Sequence, residues 1–98
     1  MEYDLDTIYE ILTNGKKLED AKSGEAVEIK GRINGFHIPS GGKITYLPQD
    51  LMGPELKITY GYAVIEVGKK YVSLSKVPES MYLLVRFLDD NIIGEFEE

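Results

Sequence analysis

The pattern of apolar and polar positions changes period after the first fifteen residues. Between Asp4 and Gly15, Leu5, Ile8, Tyr9 and Leu12 fall at i, i+3, i+4 and i+7, one stripe of a helix spanning about 4–14. Asp4 is suited to the N-cap, Asp6 to the positive end of the dipole, and Asn14-Gly15 to a left-handed close. So short a helix is marginal alone, and its stripe must pack on something else.

Leu18 and Ala21 tether a turn-rich connection that ends at Ser23-Gly24. From Glu25 the period is two: Val27, Ile29 and Ile33 alternate with Glu28, Lys30 and Arg32, and Gly31 in the apolar register predicts a bend. Asn34-Gly35 fits either a hairpin turn or a bulge in one long bent strand. The bulge is favoured, because Pro39-Ser40-Gly41-Gly42 supplies a later turn from which Ile44 to Leu47 runs back along the first strand.

Two prolines and Gly53 predict a loop over Pro48 to Pro54. Beyond it Leu56, Ile58 and Tyr60 share one face, and after Gly61 the apolar set moves to Ala63, Ile65 and Val67, as a bulge at Gly61 would allow. A two-residue turn at Gly68-Lys69 would pair Val67 with Lys70, Ile65 with Val72 and Ala63 with Leu74. Tyr62, Val64, Glu66, Tyr71, Ser73 and Ser75 would then point outward. Met81 to Leu88 is apolar at nearly every position and reads as a strand covered on both faces, with a turn at Asp89-Asp90-Asn91 and a last strand over Ile92 to Phe96.

The assembly is a single domain, 1–98, of mainly β (α+β) class: an N-terminal helix packed on a small antiparallel, strongly bent five- to six-stranded barrel or sandwich over about 25–97. The strand pattern is like that of the oligonucleotide/oligosaccharide-binding fold or an SH3 barrel. No motif residues accompany that likeness, and the helix stands N-terminal rather than internal.

Composition narrows the chemistry. Cys is absent and His37 is the single histidine, which excludes thiolate catalysis, iron–sulfur clusters and any usual zinc site, and no cofactor is expected. The start, Met1-Glu2-Tyr3-Asp4, is acidic and no apolar run approaches membrane-spanning length, so a soluble cytoplasmic protein with no membrane partner is expected. Scarce Asn and Gln beside abundant Glu and Lys is a bias found in thermophile proteins. The net charge of −6 conceals an uneven distribution: −4 over residues 1–15, +3 over 16–76 and −5 over 77–98.

His37 to Lys43 contains a Gly-Gly-Lys run that could cradle phosphate, but Ile44 follows the lysine and the continuation is a strand, so a hairpin turn is the better reading. His37, Ser40 and one of Asp50, Glu55 or Asp89 could be imagined as a nucleophilic triad, though nothing around Ser40 forms a nucleophile elbow. No enzyme is expected. Seven tyrosines are many for this length. Tyr9 and Tyr60 are expected in the core, whereas Tyr62 and Tyr71 are expected outside, among Lys30, Arg32, Lys43, Lys57, Lys69 and Lys70. Exposed rings between cations suit single-stranded nucleic acid. A non-enzymatic barrel binding module for single strands is therefore the first functional expectation. The alternative is an acidic protein-interaction module, a subunit, adaptor or inhibitor whose Asp89, Asp90, Glu95, Glu97 and Glu98 meet a basic protein. A homodimer is compatible with either.

Overall fold

The structure, a computed structural model, describes residues 4–33, 35–51 and 53–90. Helix α1 spans Leu5–Thr13, with Leu5, Ile8, Tyr9 and Leu12 buried. Asp4 caps it by accepting from the Thr7 N–H at 2.9 Å, and Asn14 closes it at φ 60. The Thr7 amide also holds the Asp4 carboxyl below its ordinary pKa, because its N–H favours the charged form. A 3-10 turn, Leu18–Asp20, buries Leu18 and leads into the sheet.

Seven strands follow among the described residues: β1 Ala26–Glu28, β2 Arg32–Ile33, β3 Phe36–His37, β4 Lys43–Asp50, β5 Gly53–Tyr60, β6 Ala63–Val67 and β7 Val72–Ser75. Five form an antiparallel sheet in the order β1-β4-β5-β6-β7, and β2 pairs with β3 as a separate hairpin. The fold is thus α+β and β-rich, as expected, but the sheet is not closed into a barrel. The expected bend occurs at Gly31, whose φ of +102 disfavours any side chain. There the chain leaves the sheet, and the Lys30 N–H donates to the Leu12 carbonyl at the end of α1.

The register corrects several expectations. Arg32 pairs with His37 and Ile33 with Phe36, so positions 34 and 35 join a hairpin and the bulge reading fails; Asn34 itself lies outside the described residues. The expected loop over Pro48 to Pro54 is mostly strand. Pro48 falls where the β4–β5 register shifts between Leu47 and Asp50, and Pro54 precedes the first β5–β6 pair, so neither proline removes a regular ladder bond. Gly61-Tyr62 is a turn, not a bulge: Tyr60 pairs with Ala63, Ile58 with Ile65 and Leu56 with Val67. A two-residue turn pairs even positions with odd ones, which reproduces the parity change that a bulge would give. Residues 68–71 form a four-residue connection, so Val67 pairs with Val72 and Ile65 with Leu74.

The largest correction concerns Met81 to Leu88. Pro78 precedes a 3-10 turn, Glu79–Met81, and helix α2 covers Tyr82–Leu88. Met81, Leu84, Phe87 and Leu88 are buried with Ile44, Leu56, Ile58, Ile65 and Val67 of the sheet, while Tyr82 and Leu83 stay outside. Asp89 continues in the right-handed helical region rather than turning. The expected strand over Ile92 to Phe96 lies outside the described residues.

Candidate functional site

The expected cationic platform is divided. Lys43 and Lys57 project from the face opposite α1, and each stands beside an acid across the sheet: Glu28 pairs with Lys43, and Lys57 with Glu66. Opposite charges directly across strands stabilise a sheet by roughly 0.2–1 kcal/mol, which is a structural use for both lysines. Tyr62 is 87% exposed in the β5–β6 turn, at the end of the sheet where β4 begins. Lys69, Lys70 and Tyr71 occupy the loop at the opposite end. The five residues of β6 separate the two tyrosines, about 17 Å of extended chain. Arg32 lies on the β2–β3 hairpin and Lys30 at the bend before it. One stacking surface containing Tyr62 and Tyr71 does not form.

Tyr71 is not an outward strand residue. It is half-buried, its ring covers Gly68, and its hydroxyl donates to Glu55 Oε1 at 2.8 Å, holding a carboxylate that is only 4% exposed. Tyr60 plays a similar part at the other end. Its ring lies against Gly42, where an added Cβ would overlap it, and its hydroxyl donates to the Pro39 carbonyl at 2.8 Å. Burial pushes the Tyr60 phenol up to about 12. The Gly-Gly-Lys run is therefore a turn sealed by Tyr60 and feeding strand β4, not a helix. His37 Nε2 is engaged by Arg32 Nη2 at 3.0 Å, which occupies the nitrogen that a triad with Ser40 would call upon.

A concavity with apolar walls lies elsewhere, between α2 and the β2–β3 hairpin. It encloses about 210 Å³. Ile33, Ile38 and Pro39 form one wall, Leu83, Leu84 and Phe87 the other, with His37, Ser80, Arg86 and Asp90 at the rim. Leu83 and Tyr82 continue its apolar lip into solvent at 58% and 57% exposure. Arg86 is strapped along α2: it donates to the Tyr82 hydroxyl at 2.8 Å, rests 5.9 Å from that ring, and approaches Asp90 at 3.5 Å. The Tyr82 hydroxyl, and then Asp90, hold its guanidinium more firmly charged. Asp89 and Asp90 are exposed at the helix's negative end, where an acid is unfavourable by roughly 0.3–1 kcal/mol.

No family model, curated protein or solved structure matches the chain. Among the described residues no three His, Asp or Glu side chains are grouped to hold a metal ion, and no helix is long and apolar enough to cross a membrane. Sequence reasoning missed the groove because it read α2 as a strand. The available signal was Met81, Leu84 and Leu88 at i, i+3 and i+7, three residues after a proline. Of the acids expected to meet a basic partner, Asp90 lines the groove, Asp89 is exposed next to it in the chain, and Glu95, Glu97 and Glu98 lie outside the described residues.

Proposed function

We propose that this protein is a non-enzymatic interaction module that docks a basic segment of another protein in the groove between α2 and the β2–β3 hairpin. The observation that carries the reading is a groove that combines the exposed apolar Leu83 with Asp90 two helical turns further along α2, Asp89 standing exposed beside it. An apolar anchor from the partner would enter between Ile38 and Leu83, and a lysine or arginine would face the acids that α2's dipole disfavours. The chain's net charge of −6 favours encounter with a cationic partner and disfavours a nucleic-acid backbone.

The test uses isotope-labelled protein titrated with a synthetic amphipathic peptide of leucine and lysine. Shift changes confined to residues 33–39 and 80–90, weakened by salt and lost in Leu83→Asp with the fold retained, support the reading. Changes scattered over the surface, or none, refute it. Retention of a labelled single-stranded oligonucleotide at ~50 mM salt, without peptide binding, would instead restore the single-strand reading on Lys30, Lys43 and Tyr62.

A further inference from the structure

Arg32 and His37 face one another directly across the two-rung hairpin β2–β3, and Arg32 Nη2 meets His37 Nε2 at 3.0 Å. A guanidinium can only donate, so Nε2 must accept, and the ring must be the neutral tautomer with its proton on Nδ1. We propose that this contact is an acid-sensitive clasp: it holds the hairpin while the imidazole is neutral and releases it when the ring takes a second proton. The proton comes from solvent and binds the Nε2 lone pair that Arg32 had used. A donor then faces a donor, and two like charges lie directly across the strands.

Arg32 stands across the hairpin from the ring, and Arg86 and Asp90, 3.5 Å from one another, are the other charged groups that line its groove. His37 stands at the groove rim on the same hairpin side as Ile33, Ile38 and Pro39, so loosening the hairpin loosens one side of the groove. The clasp belongs to the hairpin and does not depend on the groove having a partner.

The readout is amide exchange at Ile38, whose N–H donates to the Gly31 carbonyl at 3.2 Å at the open end of the hairpin. Protection, normalised to the rates of an unstructured chain, is compared at about pH 8 and about pH 5, the interval over which imidazoles change charge. The native protein is expected to lose roughly three- to tenfold in protection on acidification, the equivalent of one modest hydrogen bond. His37→Gln, which keeps an acceptor for Arg32 and does not titrate, is expected to lose none. Equal protection in the native protein at both pH values, or the same loss in the glutamine variant, overturns the proposal. Ring-nitrogen NMR shifts give a separate check: a neutral ring protonated on Nε2 at about pH 8 would also overturn it.

Discussion

Leu83 and Leu84 are adjacent in the chain, 58% and 3% exposed respectively. In a helix that divides them between solvent and core, replacement by alanine separates them in energy. Leu84→Ala empties space beside Phe87, Leu88 and the sheet, and buried Leu→Ala changes cost about 2–5 kcal/mol. A short helix at the margin of the core can partly collapse, so a value of about 2–3 kcal/mol is expected here. Against a total stability of about 5–15 kcal/mol this is a large fraction, equivalent to roughly 10–20 °C in Tm for a domain of this size. Leu83→Ala removes little buried surface and installs a better helix former, so its effect should lie within about 0.5 kcal/mol of zero. Urea denaturation followed by circular dichroism, with equal m-values confirming the same unfolding reaction, measures both. Costs within about 0.5 kcal/mol of each other, both large, would refute the helix and favour a strand covered on both faces.

Other consequences are as direct. Gly42→Ala should destabilise by about 1–3 kcal/mol, because the added methyl meets the Tyr60 ring; an unchanged melting temperature would show that the ring lies elsewhere. Tyr71→Phe removes a hydrogen bond to the buried Glu55 carboxylate and should cost about 1–2 kcal/mol in a urea titration. Asp4→Ala should cost about 1 kcal/mol. Because the Asp4 carboxyl is held below its ordinary value of 3.8, its contribution is present above that pH and is lost as pH falls through the folded value. Tyr60 has the opposite sign. Its phenol is raised from 10.0 to about 12, so folding binds the proton more tightly and stability is intact below about pH 10, then declines toward pH 12. Tyr60→Phe should flatten that alkaline decline in a pH series of thermal melts.

The parts of the fold legible in the sequence are those whose signals were local and redundant. Helix α1 had a stripe and a cap at each end, and the bend at Gly31 had a glycine in an apolar register. Gly61 illustrates a signal with two solutions: a parity change follows from a bulge or from a two-residue turn, and only the partner strand decides. For α2, seven nearly continuous apolar residues obscured the period, because Tyr82 and Leu83 are apolar yet exposed and only the burial of Met81, Leu84 and Leu88 shows the helix. The site suffered most, since which tyrosines meet is a question of strand ends. Alternation put Tyr62 and Tyr71 on one outer face, whereas the turns put them at opposite ends of β6.

Residues 82–88 form a helix whose Leu83–Phe87 side walls a groove with Ile38 and Pro39. Nuclear Overhauser spectroscopy tests it most directly. Medium-range contacts are expected from Met81 to Leu84 and from Leu84 to Leu88, together with contacts from Leu83 or Phe87 to Ile38 and Pro39. Extended-chain shifts over 82–88 with cross-strand contacts, or a helix showing no contact to the hairpin, would contradict it.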